Sequence, residues 1–195
     1  RNIYGTRHVG GTEEAPVHHV VVRRNLVHGF PGGGIQTGSG DFLVIEDNTT
    51  HGNANHSFYG HSGISVFRSR AVETGEQPAH RIIVRRNRSF ANYQKVPSTA
   101  IGASAPTDGN GIIVDSTLDT GYPYRTLVQN NLVFDNGGTG IHAFRSAHVD
   151  ILHNTSFLNS RNPAQDGGEI LSIASRDVVI ANNVLHARPG RRLNA

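Results

Sequence analysis

Apolar and polar residues alternate along this chain in short bursts, and the bursts recur. Six of them close on an asparagine: HVVVRRN to Asn25, FLVIEDN to Asn48, HRIIVRRN to Asn87, YRTLVQNN to Asn131, HVDILHN to Asn154 and DVVIANN to Asn183. A second series runs between them, entering at or near a glycine: GIQT from Gly34, GISVF from Gly63, GIIVD from Gly111, GIHAF from Gly140 and EILSI from Glu169. The step from the isoleucine of the second series to the next asparagine is 13 residues for Ile35, Ile141 and Ile170, 23 for Ile64 and 19 for Ile112. A fixed unit lengthened at fixed places is the mark of a solenoid. Period-two alternation rich in Val and Ile predicts strands.

Each unit is expected to hold three short strands. In the first complete one these are Ile35 to Thr37, then Phe42 to Glu46 after a turn over Gly38 to Asp41, then a strand beyond the bend at Asp47-Asn48. Coils stacked about 4.8 Å apart would align equivalent residues in columns along the axis. The six asparagines would form one such ladder, chosen because Asn tolerates bent backbone and its amide bonds to the amide of the next coil. Three of them also match the glycosylation sequon, at Asn48, Asn87 and Asn154. As ladder positions they should be buried and unmodified, leaving Asn55 in a loop as the better acceptor.

The GI-x-V…V-x-I-x-N-N-x-x-x-x-N unit, clearest in GIHAFRSAHVDILHNTSFLN from Gly140 to Asn159, resembles the right-handed parallel β-helix proteins of the pectate-lyase-like superfamily. The resemblance spans Val17 to Leu185. It implies one all-β domain over residues 1–195, a solenoid of about six three-strand coils from about 17 to 187, with long loops at 51–63 and 90–110. No N-terminal capping helix or closing element is evident, so the chain is expected to be part of a longer β-helix or to be capped by a partner.

In enzymes of that superfamily the substrate lies along the sheet made by the GI strands. With the isoleucines inward, alternation turns Gln36, Ser65, Ile113, His142 and Leu171 outward to solvent. Two residues on come Phe67, Asp115 and Phe144, then Arg68, Ser116 and Arg145. The strip reads FRS, VDS, FRS, with Arg68 and Arg145 about 10 Å apart over two coil steps. Arginine forks match carboxylates, so the strip suits a polyuronate, unless both arginines pair with Asp115.

The Phe90 to Asn110 insertion is long enough to suggest function. It holds Lys95, the single lysine beside 17 arginines, and ends in Asp108-Gly-Asn110. Asp108, Asn110 and Asp115 offer hard oxygen ligands for Ca²⁺.

A uronate lyase must neutralise the carboxylate and remove the neighbouring proton. Arg145 serves the first need. Lys95, its pKa depressed by nearby arginines, or His142 serves the second. Tyr59 and His61, from the 51–63 loop, would join Arg68, Phe67 and Phe144 as substrate contacts. The rival readings are a glycoside hydrolase using Asp108 and Asp115, and a non-catalytic carbohydrate-binding or adhesin-like solenoid.

Bulk composition adds exclusions. No run approaches 18 apolar residues, so no membrane span is expected, and with no Cys there are no disulfides or thiolate metal sites. The net charge of +3 fits a polyanionic partner. The arginines are scattered and no recognition motif appears, so nucleic acid is not expected. An anionic polysaccharide partner would place the protein outside the cell or in the periplasm.

Overall fold

The computed structural model describes residues 2–3 and 7–193. The chain winds through three parallel sheets in turn. The first holds the GI strands: Arg7–Gly10, Ile35–Gly38, Ile64–Phe67, Ile112–Asp115, Ile141–Phe144 and Ile170–Ile173. The second holds Val17–Arg23, Gly40–Glu46, Ile82–Arg85, Thr126–Gln129, Ala147–Leu152 and Arg176–Ala181. The third runs from Asn2–Ile3 through Leu26–His28, Thr49–His51, Arg88–Phe90, Leu132–Phe134 and Thr155–Phe157 to Val184–His186. Strand order in every sheet follows chain order, which makes the fold a parallel β-helix. Among the described residues the helical content is one 3-10 turn, Thr99–Ile101.

The columns form as the repeat predicts. Ile35, Ile64, Ile112, Ile141 and Ile170 pair in register and are fully buried. Burying one such side chain contributes about 1.5–3 kcal/mol. The column Ile45, Val84, Val128, Ile151 faces them from the second sheet, each at zero exposure. It continues to Ile180, which is 38% exposed because no described coil covers it.

The six asparagines are indeed a ladder. Each amide donates to the next Oδ1, from Asn25 through Asn48, Asn87, Asn131 and Asn154 to Asn183, at 2.9–3.0 Å. Asn48, Asn87 and Asn154 are each 1% exposed, so those sequons are out of reach. One expectation is corrected. The left-handed backbone at this bend belongs to the preceding residue, Arg24, Asp47, Arg86, Asn130, His153 or Asn182, at φ of 53–56°. The ladder asparagine is there for its amide, not for its backbone.

A second ladder stands five residues on. Asn53, Asn92, Asn136 and Asn159 link amide to amide at 2.8–3.0 Å, and Glu169 ends the series by accepting from the main-chain N–H and amide of Asn159 and from Ser156 Oγ. Gly34, Gly63, Gly111 and Gly140 precede their strands because a Cβ there would strike a main-chain oxygen of the next coil. At Glu169 that place in the repeat carries a side chain instead, and its carboxylate stands in for the next asparagine.

The two lengthened coils place their extra residues between the first and second sheets, and a buried cluster ties them down. Arg81 Nη1 donates to Asp41 Oδ2 at 2.9 Å, and both side chains have no exposed surface. Tyr122 Oη donates to the other carboxylate oxygen, and Val72 N to the first at 2.8 Å. The Arg81 guanidinium lies against the Tyr124 and Phe42 rings. The turn expected over Gly38 to Asp41 is therefore shorter, since Gly40 and Asp41 already belong to the second strand.

Candidate functional site

The outward face of the GI sheet carries the expected columns in register: Ser65, Ile113, His142 and Leu171 in one, Phe67, Asp115, Phe144 and Ile173 in the other. The first column does not face open solvent as expected. Ser65, Ile113 and Leu171 are only 4–7% exposed. The turns leading into the GI strands lie over it, with Gly33 against the Gln36 side chain and Gly167 against Leu171.

His142 is caught in that cover. Its Nε2 is buried with no hydrogen-bond partner, and its ring centroid sits 5.6 Å from that of Phe144. Burial alone drives its pKa down to about 4, so the imidazole is neutral at physiological pH. Asp115 is the diagonal outward neighbour, one strand over and two residues along, about 8 Å away at the backbone from strand spacing and rise. Burial pushes its pKa up to about 6, helped by the carboxylates of Asp108 and Asp119 and opposed by a 2.7 Å bond from Ser116 Oγ and by Arg145. A neutral imidazole with an unpartnered Nε2 therefore stands near a carboxyl that holds its proton in mildly acidic water.

The arginines of the strip do not pair with Asp115. Arg145, 53% exposed, donates from Nε and Nη2 to Asp119 Oδ1 at 3.1 and 2.9 Å. Arg68 reaches Glu13 at 3.3 Å, a carboxylate it shares with Arg70. Those two arginines hold the Glu13 carboxyl below its ordinary value, Arg70 most strongly. Phe67 is 44% exposed and Phe144 half-buried, on either side of Asp115.

Asp108 and Asn110 do not fit a calcium cage. Asp108 accepts from Asn110 Nδ2 at 2.9 Å, Ser62 Oγ at 3.3 Å and Thr107 Oγ1 at 2.8 Å, and burial raises its pKa. The Asn110 oxygen accepts from Thr139 N at 2.8 Å. These side chains stitch three successive loops together, and their acceptors are spent in doing so. Among the described residues no three His, Asp or Glu side chains gather to hold a metal ion.

Lys95 is exposed and lines a cleft of about 700 Å³ with Ala91, Tyr93, Pro106, Arg161 and Asn162. Asp115 and His142 are not part of that lining, so the two candidate bases serve different places. Tyr59 is 66% exposed, 6.2 Å ring to ring from His61, whose Nδ1 shares a 2.8 Å hydrogen bond with Ser57 Oγ. His51 is turned away from both. It stacks between His28 and Phe90 in an outward column on the third sheet that continues to Phe134 and Phe157, with centroids 4.7–5.0 Å apart.

Three features escaped the sequence reading: the Asp119 partner of Arg145, the Glu13 partner of Arg68, and the second ladder with its glutamate end. Only the last left a signal, the asparagine recurring five residues after the first.

A family model described as the right handed beta helix region matches residues 3–191. The chain belongs to the right-handed β-helix family. Two solved structures are similar to it, both A-modules of mannuronan C-5 epimerases from Azotobacter vinelandii. AlgE6 aligns with a TM-score of 0.55 at 17% identity, covering 89% of this chain and 43% of its own. AlgE4 aligns with a TM-score of 0.46 at 15% identity, covering 80% and 39%. The chain thus spans less than half the length of either. No curated protein matches the sequence. This family membership establishes the coil and leaves the chemistry to the side chains.

Proposed function

We propose that this β-helix acts on an anionic, uronate-containing polysaccharide by removing the proton next to the sugar carboxylate. The observation that carries this is the neutral His142, its Nε2 buried and unpartnered, beside an Asp115 whose pKa is raised to about 6. Groups whose environments push their pKa values apart are how one site runs base and acid chemistry together. That the AlgE6 A-module, an epimerase of a polyuronate, shares the coil agrees with a substrate of this class.

In this scheme the turns over His142 move aside to admit the sugar, and its Nε2 takes the C5 proton. Arg145 leaves Asp119 for the substrate carboxylate and stabilises the charge that builds there. In β-elimination the electron pair of the broken C–H bond forms the C4–C5 double bond, and the departing O4 takes the proton of Asp115. Epimerisation shares the first half and ends when a proton returns to C5 from the opposite face. Elimination is our primary reading because Asp115 is available to protonate a leaving oxygen.

Lys95 is not assigned as the base, since its cleft lacks Asp115. No step is routed through calcium, because the oxygens of Asp108 and Asn110 are engaged. A hydrolase would need Asp108 as one of two free carboxylates, and the same bonds count against it. The substrate class also implies a site of action outside the cytoplasm. No described helix is long and apolar enough to cross a membrane.

The test is absorbance at the unsaturated-uronate band during incubation with pectate, alginate and glycosaminoglycans, each with Ca²⁺ and with a chelator. A rise that His142→Ala abolishes is the expected result. New reducing ends without absorbance would transfer the function to hydrolysis. Retained polymer binding with neither product, and with no exchange of the C5 proton for deuterium in D₂O, would make the protein a binding solenoid.

A further inference from the structure

The Tyr93–Lys95–Arg161 cleft lies apart from the proton-transfer pair and has its own chemistry. Its wall carries Ala91, Tyr93 and Pro106, apolar surface suited to the C–H faces of a pyranose, and the buried Asn162. Lys95 forms no ion pair among the described residues. Arg161 is 40% exposed at its side chain, with its guanidinium 5.7 Å from the centre of the Tyr93 ring.

Two further cations border the cleft. Arg188 and Arg161 share one carboxylate, Asp135, at 2.9 and 3.0 Å. Arg191 reaches the main-chain oxygen of Asn162 at 3.5 Å. Of these four cationic side chains, none bonds to any other described carboxylate. Glu169 lies within electrostatic reach of Arg188 but spends its oxygens on Asn159 and Ser156. The cleft is therefore under-neutralised, and its two best-exposed cations sit on different loops, with the Tyr93 ring in the same lining.

We propose that this cleft is a second, non-catalytic subsite for the carboxylate-bearing sugars of an anionic oligosaccharide, with Lys95 and Arg161 as the carboxylate partners and Tyr93 as the ring contact. The planar fork of Arg161 suits a carboxylate two-point contact, and the ammonium of Lys95 adds a mobile point charge. The position explains why the lone lysine sits where no proton-transfer partner faces it. The substrate class rests on the functional reading above, whereas the site itself does not need that chemistry to occur.

The experiment is calorimetric titration of the full chain with a uronate tetrasaccharide, using wild type, Lys95→Gln, Arg161→Gln, the double variant and His142→Ala. Both substituted positions in the cleft are exposed, and a thermal melt confirms that each variant is folded. The expected result is a tenfold or larger loss of affinity in the double variant, with a neutral mannose tetrasaccharide binding at least tenfold more weakly to wild type. Equal affinity in wild type and double variant overturns the proposal, as does equal affinity for the neutral sugar. A single-stranded oligonucleotide that displaces the uronate at lower concentration than the free uronate itself would also overturn it, in favour of a nucleic-acid site. Failure of the proton-abstraction reading looks different: cleft binding persists while wild type, like His142→Ala, neither raises the absorbance nor exchanges the C5 proton for deuterium in D₂O.

Discussion

Replacing Asn87 by alanine in the middle of the first ladder should cost far more than the same change at Asn25 at its start. The Asn87 oxygen accepts from both the main-chain N–H and the side-chain amide of Asn48, at 3.0 Å each. Its own amide donates to Ile45 O at 2.9 Å. Alanine strands the Asn48 main-chain N–H and Ile45 O, and removes one of the two bonds of the Asn48 amide, which keeps Val22 O at 2.9 Å, in a place where Asn48 and Asn87 are 1% exposed. An orphaned buried polar group costs about 1–3 kcal/mol, so the two together cost about 2–6 kcal/mol, a large share of the stability of a domain.

Asn25 is half-buried, and among the described residues its side chain only donates, to Asn48 Oδ1 and Arg23 O. Asn48 Oδ1 keeps its bond from the Asn25 main chain when that side chain is gone. That change should cost about 1 kcal/mol. Urea unfolding followed by circular dichroism reads the difference as a fall in the transition midpoint. If Asn87→Ala and Asn25→Ala shift the midpoint equally, the ladder is ornamental and the reasoning fails.

Other outcomes follow from the same structure. Arg81→Leu leaves Asp41 charged and buried, and should destabilise by about 3–5 kcal/mol in the same urea assay. His142→Phe should become progressively more stable than wild type on acidification. The folded imidazole has a pKa of about 4 against an ordinary 6.5, so its cost appears as pH falls through 6.5 and is complete near 4. At 1.36 kcal/mol per unit that is about 3 kcal/mol, read from paired unfolding curves at pH 7 and pH 4. Turnover should follow a bell between limbs near pH 4, where His142 gains its proton, and near pH 6, where Asp115 loses its own. A profile flat from pH 4 to 8 would remove both groups from the reaction.

The coil was legible because a solenoid repeats its physics every turn. One isoleucine per coil at zero exposure and one asparagine per coil at the same bend leave a periodic trace that needs no tertiary knowledge. Which side chains share the outward face of the GI sheet followed from alternation, and the strands hold that register. What alternation cannot give is the cover. Ile113 and His142 are outward from the coil yet covered, because the turns leading into the GI strands fold over this column, and it is burial that depresses the histidine. Partners were equally hidden: Arg68 finds Glu13 55 residues away, and Arg145 finds Asp119 in an insertion of irregular length. The surroundings of the calcium candidates were hidden in the same way, since the sequence does not show that Asp108 and Asn110 accept from Ser62, Thr107 and Thr139. Lys95 stood out by being the single lysine, but a loop of 21 residues gives no hint which way its tip will face.

In the proposed reaction His142 removes the C5 proton of a uronate. Incubating the folded protein with each uronate polymer in D₂O at pH 5, and following the C5 position by proton NMR, tests it most directly. The H5 signal should be lost, through deuterium uptake or formation of the C4–C5 double bond, in wild type and not in His142→Ala. An H5 signal that stays constant with every polymer, or that disappears equally fast with His142→Ala, would contradict it.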